Sequence, residues 1–297
     1  MIEIFRKFNI FRIIWMHPLN SKRRVEAILF FLRFQILGRV RKSRIDVEWI
    51  HGLRFFIAPG ETGMTINYYC GMSEPNEMLF MLHFLQASDV FFDIGANAGS
   101  YSLLAAGISN CKVYSFEPVL RTRLRLIENL ELNGLPTDSV QSCALGSSQG
   151  KIQFTKSLDA VNHVVRTSEV VSSDLVDQQT LDSYADVLGV SLIKIDVEGY
   201  EMEILRGASR FLKNSSLQAL IVETNGETKY YGSSDSEIAI FLNQYGFKPF
   251  AYNPLQRCLT PLDQPNRVGN TIFIRDLNFA MRRIFDGSKI TIRDAIF

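Results

Sequence analysis

Two stretches of this 297-residue chain place acidic side chains where apolar runs end. The first is Val90-Phe91-Phe92-Asp93-Ile94-Gly95-Ala96-Asn97-Ala98-Gly99-Ser100. It reads as a buried strand running into a glycine-rich turn that opens a helix. Glycines in such a turn let the backbone bend tightly and approach a ligand, and doubly wound folds bind ligands at the carboxyl ends of their strands. The spacing is not that of a dinucleotide site, because Asn97 and Ser100 stand where that fingerprint has its second and third glycines. Asp93 beside the turn would also repel a pyrophosphate. Glu117 ends the next strand, 22 residues after Gly95, in Phe116-Glu117-Pro118. An acid at that distance can accept hydrogen bonds from both hydroxyls of a ribose, and Pro118 removes an N–H and fixes the chain's exit. Taken singly, Asp93 could be a helix cap and Glu117 a surface acid. Together, at two strand ends, they suit a nucleoside that carries an amine and a sulfonium, which describes S-adenosylmethionine.

Such a ligand donates a methyl group by one displacement at carbon. Positioning supplies much of the rate, and a hydroxyl acceptor also calls for a general base, usually His, Asp or Glu. The second stretch, Leu192-Ile193-Lys194-Ile195-Asp196-Val197-Glu198, offers Asp196 and Glu198 as catalytic candidates. Strand alternation nominally puts Lys194, Asp196 and Glu198 on one face, close enough to perturb one another's pKa. The structural alternative is an ion-pair network, with Glu198 or Glu201 opening the next helix. Two carboxylates could hold Mg²⁺ with a substrate diol, but no third ligand is evident, so no metal site is expected. Glu223 ends the run Leu220-Ile221-Val222 and is a candidate acceptor contact or a support for Asp196; pairing with an arginine is the alternative. A third candidate is Leu158-Asp159-Ala160-Val161-Asn162-His163, in a long stretch between core strands. An unperturbed imidazole titrates near neutrality, which makes His163 a candidate base, with Asp159 and Asn162 as acceptor contacts. A lone histidine is, however, more often structural.

From residue 74 onward, apolar strands alternate with helices, which predicts a mostly parallel sheet covered on both faces, an α/β doubly wound architecture of Rossmann-like type. Strands are expected at 90–94, 112–116, 140–144, 191–196 and 219–223, with antiparallel end strands at 247–251 and 271–274. The expected divisions are a basic helical segment over 1–44, a β-hairpin extension over 45–73, the main domain over 74–276 and a tail over 277–297. In the basic segment, Val25, Ile28, Leu29, Leu32 and Ile36 recur at helical spacing.

At this point the sequence resembles the FkbM family of methyltransferases, over about residues 74 to 225. The resemblance rests on Asp93-Ile94-Gly95-Ala96-Asn97-Ala98-Gly99, Phe116-Glu117-Pro118, Asn129 and Thr180-Leu181-Asp182, and above all on Lys194-Ile195-Asp196-Val197-Glu198-Gly199-Tyr200-Glu201 with Leu205-Arg206-Gly207-Ala208. It extends to the Asp159-x-Val-Asn-His163 pattern. It implies an S-adenosylmethionine-dependent O-methyltransferase acting on a sugar, glycolipid, polysaccharide precursor or secondary metabolite. It also implies that Asp93, Gly95, Asn97, Gly99 and Glu117 hold the cofactor, with Cys143-Ala144-Leu145 beside the adenine.

Composition narrows the alternatives. Hydrophobic residues are 46% and charged residues 21%, ordinary for a globular protein. The four cysteines form no Cys-x-x-Cys pair, so neither zinc nor a disulfide framework is indicated. The net charge of +1 hides an asymmetry: of 32 basic and 31 acidic residues, 1–44 hold 11 and two, leaving 21 and 29 for the rest. Two readings follow for 1–44: a helical pair covering the domain edge with its basic residues solvated, or an amphipathic segment resting on an anionic membrane. A nucleic-acid acceptor is disfavoured because the core is net acidic and shows no basic aromatic stripe. No apolar stretch reaches the roughly 20 residues of a spanning helix, so a cytoplasmic location is expected, either free or peripheral to the inner face of a membrane. A degenerate methyltransferase fold serving as a binding module is the remaining rival. Oligomeric state is not legible.

Overall fold

A computed structural model describes residues 10–41, 44–58, 61, 63–158, 161–166 and 169–297. The side chains of residues 37–41 are excepted.

The described residues begin with helix α1 (10–16), a 3₁₀ turn at Pro18–Asn20 and helix α2 (Arg24–Arg41). Strands β1 (Ile45–Glu48) and β2 (Arg54–Ile57) pair as an antiparallel hairpin, followed by α3 (Thr65–Cys70) and α4 (Pro75–Phe84). The core then alternates: β3 (Val90–Ile94), α5 (Ser100–Gly107), β4 (Lys112–Phe116), α6 (Leu120–Leu132) and β5 (Val140–Gln141). Strands β6 (Ala144–Leu145), β7 (Gly150–Thr155) and β8 (Ser173–Gln179) follow, then β9 (Val190–Ile195), α7 (Glu201–Arg206), β10 (Ala219–Glu223) and α8 (Asp235–Asn243). The chain ends with β11 (Lys248–Asn253), β12 (Cys258–Pro261), β13 (Asn270–Ile274), α9 (Leu277–Asp286) and the short pair β14 (Thr291–Ile292) and β15 (Ala295–Ile296).

The main sheet has the order β12-β11-β13-β10-β9-β3-β4-β5. Strands β5, β4, β3, β9 and β10 are parallel, while β13 runs antiparallel between β10 and β11. This is the doubly wound α/β fold that the alternation predicts. Strands β3 and β9 are buried along their whole length, so they read as continuous apolar runs rather than alternating ones. Their side chains part to opposite faces. Phe91 and Leu192 enter a core with α4, α5 and α9; Phe92, Ile193 and Ile195 enter another with α7 and α8. Burying each such phenylalanine contributes roughly 1.5–3 kcal/mol.

Three expectations are corrected. The strand expected over 140–144 is two strands in different sheets: β5 closes the main sheet, while β6 joins β8 and β7 in a separate three-stranded sheet. Residues 277–297 are not a tail. Asp276 caps α9 by accepting from Phe279 N, Ala280 and Ile284 enter the core, and Arg283 pairs with Asp89 at 2.5 Å. In α2 the buried face is Ala27, Phe31 and Phe34, not the stripe that the periodicity singles out. Among the described residues, no helix is long and apolar enough to cross a membrane.

Candidate active site

The chain runs from β3 outward to β4 and β5, then crosses back to place β9 on β3's other side. The point of reversal opens a crevice at the carboxyl ends of β3 and β9. Ile94 and Ile195 lie in register there, and Asp196 N donates to Ile94 O at 3.0 Å. A cleft of about 550 Å³, open mouth included, lies over this point; Gly95, Asn97, Glu117, Ala144, Asp196 and Glu198 are among its lining residues.

One wall is the turn after β3. Gly95 N and Ala96 N both donate to Phe116 O, at 3.1 and 3.0 Å. Gly95 has φ +81°, and a Cβ there would lie 1.8 Å from Asp196 O, so only glycine lets β3 and β9 leave the sheet so close together. Glu117 is buried at the end of β4; its two oxygens accept from Asn97 N at 3.1 Å and Val119 N at 2.8 Å. Burial pushes its carboxyl up to about 7, although both amides pull it down. Each oxygen keeps a further lone pair for a ligand. Asn129 ties the turn to the hairpin, donating to Ala98 O and accepting from Phe56 N, both at 2.8 Å.

The opposite wall is the loop after β9. Lys194 is almost fully buried and reaches Asp196 at 2.5 Å, its ammonium 4.6 Å from the Tyr101 ring centroid. Burial alone would lower this lysine, but Asp196, Glu74 and Asp93 together raise it well above its ordinary value. Glu198 has φ +58°, unusual for a residue with a side chain. Glu201 holds that conformation, accepting from Val197 N at 3.0 Å and Gly199 N at 3.1 Å. Carboxylate oxygens of Asp196, Glu198 and Glu223 lie within 4.8 Å of one another. Burial, then Asp196, Glu227 and Glu201, pushes Glu198 up to about 8. Burial and the neighbouring acids push Glu223 upward as well; its Oε1 accepts from Asn225, while its buried Oε2 has no partner among the described residues. The expectation that no third metal ligand exists is therefore corrected: Glu223, 25 residues beyond Glu198, completes a group able to share a divalent cation.

The structure separates the sequence candidates. Gly95, Asn97, Glu117, Pro118, Ala144, Asn162, Asp196 and Glu198 line the cleft. Asp93, Gly99, His163 and Glu223 do not line it among the described residues. Asp93 is buried behind the turn, where Ser102 Oγ donates to it at 2.6 Å and also contacts Ser115 Oγ, so it joins β3, α5 and β4. Gly99 packs on α6, where a Cβ would lie 2.4 Å from Leu126. His163 is buried with both ring nitrogens engaged, Nδ1 by Val161 O at 2.9 Å and Nε2 by Glu169 at 3.1 Å. Its neighbour Asn162 faces the cleft instead. Asp159 lies outside the described residues.

Phe154, Val164 and Tyr200 also line the cleft. Sequence reasoning missed them because the first two belong to β7 and to the segment bridged to it, and no local pattern announces where a second sheet docks. Tyr200, within the Glu198-Gly199-Tyr200-Glu201 run, was the one with a signal.

A doubly wound sheet whose reversal point carries a glycine turn, a buried acid after the second strand and acids after the fourth defines a methyltransferase of the Rossmann-like class. The profile of the Methyltransferase FkbM domain matches residues 93–249. A hexuronic acid methyltransferase of Haloferax volcanii, AglP, is 31% identical over 188 residues, which are 63% of this chain and 76% of that protein. Methyltransferase 1 of Beauveria bassiana is 24% identical over 140 residues, 39% of this chain and 56% of that protein. The crystal structure of an FkbM methyltransferase from Methylobacillus flagellatus KT is similar with a TM-score of 0.42 at 16% identity, covering 70% of this chain and 52% of that one; this chain spans about half its length. The chain belongs to the FkbM methyltransferase family, and its methyl donor is S-adenosylmethionine.

Proposed function

We propose that this protein methylates a hydroxyl group of a sugar or other polyhydroxylated acceptor. The observation that carries this reading is the pair Asp196 and Glu198 after β9, facing the glycine turn across one cleft with the Glu223 carboxylate beside them. The cleft suits the methyl donor, since Gly95 lets the turn close against the loop after β9 and Glu117 offers a buried acceptor pair for ribose hydroxyls. When bound, S-adenosylmethionine supplies a methyl carbon activated by its sulfonium. The turn from Gly95 to Gly99, with Glu117, Pro118 and Ala144, would hold it, and Asp93 would support that turn from behind.

The remaining work falls to the chain's own side chains. Asp196, fixed by Lys194, receives a hydrogen bond from the acceptor and aims its oxygen. Glu198 takes the hydroxyl proton as that oxygen forms its new bond. A carboxyl held near 8 is matched to this task at neutral pH. Asn162 and Tyr200 shape the acceptor side, while burial and the charges of Asp196, Glu227 and Glu201 keep Glu198 basic.

The similarity to a hexuronic acid methyltransferase supports a sugar acceptor. A hexuronic acid offers both hydroxyls and a carboxylate. Three acids around the reacting position disfavour a second anion there, which supports the hydroxyl. The test is transfer of radiolabelled methyl from S-adenosylmethionine to a panel of neutral and acidic sugars. A product stable to mild alkali is an ether and supports the reading. An alkali-labile ester on uronic acids would overturn it.

A further inference from the structure

Helix α2 has two apolar faces, and the core uses only one. Ala27, Phe31 and Phe34 are buried, and the phenylalanines meet Tyr68 and Tyr69 of α3 edge-on. On the opposite side, Val25, Leu29, Leu32 and Ile36 recur at steps of four, three and four residues, which puts them in one stripe. They are 64%, 60%, 39% and 65% exposed. Helix α1 adds exposed Ile13, Trp15 and Met16, with Arg24 lying over the Trp15 ring at 5.7 Å. Isolated exposed apolar residues are ordinary, but an exposed stripe along a helix, with more exposed apolar residues on the preceding one, marks an interaction surface.

Charge says what covers it. Arg12, Lys22, Arg24 and Arg33 are exposed around the stripe. Residues 1–44 hold 11 basic side chains against two acids. A second copy of the same surface would be repelled by that excess, whereas an anionic lipid surface is attracted by it. Aromatic, aliphatic and basic side chains on one helical face are the pattern of a helix lying in a bilayer interface.

We propose that α1 and α2 dock the protein on an anionic membrane surface, the stripe entering the lipid boundary and the flanking arginines and lysines meeting headgroups. The docking face is joined to the active site: the cluster beneath α2 includes Ala96 and Ala98 of the glycine turn, and a Cβ on Gly63, just before α3, would touch the Asn97 side chain.

The test is co-sedimentation of the full chain with vesicles of phosphatidylcholine containing 30% phosphatidylserine, beside pure phosphatidylcholine, at low and high salt. Wild type should bind the anionic vesicles at least tenfold more tightly than neutral ones, and high salt should weaken that binding. Leu29→Glu with Ile36→Glu should lose tenfold or more while keeping wild-type affinity for S-adenosylmethionine in calorimetry. If that pair fails to fold, Lys22→Glu with Arg33→Glu should show the same loss. Wild type remaining in the supernatant, or either folded variant binding like wild type, would overturn the proposal. So would a dimer in light scattering that Leu29→Glu breaks while no vesicle binding is seen, which would assign the stripe to a second copy.

Discussion

The turn after β3 and the loop after β9 leave adjacent parallel strands in register, yet they are built differently. Both use left-handed backbone, Gly95 and Asn97 in one, Glu198 and Gly199 in the other. The turn presents backbone amides and glycines around one buried acid whose oxygens are both hydrogen-bonded. The loop presents Asp196 and Glu198, which crowd against Glu223 at the end of β10, and pairs Asp196 with a buried lysine. A binding surface for a large ligand is made by shape and satisfied amides. A reacting surface holds groups whose charge is not settled until the acceptor arrives, and strained, charge-frustrated positions are where such function resides.

The largest effect should come from the loop. Glu198→Gln should lower kcat by roughly 10²–10⁴ with S-adenosylmethionine affinity within a fewfold of wild type, measured by steady-state kinetics and calorimetry. In the wild type, kcat/KM should rise about tenfold per pH unit up to about 8, because only the ionised carboxyl accepts a proton, and then level. A pH profile already flat from 6 to 8 would remove Glu198 from the role of base.

The turn should respond in binding instead. Gly95→Ala should abolish detectable S-adenosylmethionine binding, since the new methyl would meet Asp196 O. Calorimetry on a variant shown folded by circular dichroism checks this. Glu117→Gln should raise the dissociation constant by roughly tenfold, on the order of one charge-assisted hydrogen bond, with little change in kcat at saturating donor.

His163→Gln separates the two candidate bases. It should reduce kcat less than about tenfold and leave the pH profile in place, because both imidazole nitrogens are spent on Val161 and Glu169. A loss comparable to Glu198→Gln would reverse the assignment.

The smallest effect is on stability. Glu223 has a folded pKa above the roughly 4.3 of an unfolded chain. Its contribution is fully present below that unfolded value and is lost as pH rises toward the folded one, because ionisation favours the unfolded state. Glu223→Gln should therefore raise Tm by about 2 °C at pH 8, equivalent to ~1 kcal/mol, and give no gain at pH 4. Equal gains at both would refute the cost of ionising a buried carboxyl beside other acids as the cause.

What the sequence by itself determined follows from local rules. Alternating apolar runs and helices determined the parallel sheet, because strands buried on both faces must be continuously apolar. Glycine spacing and strand-end acids marked both cleft walls, because ligands gather where parallel strands end. Only tertiary structure decided the rest. Asp93 and Asp196 both close a strand pattern, yet a serine on α5 draws one behind the turn while a buried lysine holds the other at the cleft. Asn162 and His163 are neighbours, and the bridge from Val164 to β7 turns one toward the cleft and the other into the fold. Glu223 joins Glu198 only because β10 lies beside β9. Periodicity in α2 found a real apolar stripe and could not say which side the core would take, since a helix apolar on two faces buries whichever one its neighbours fill.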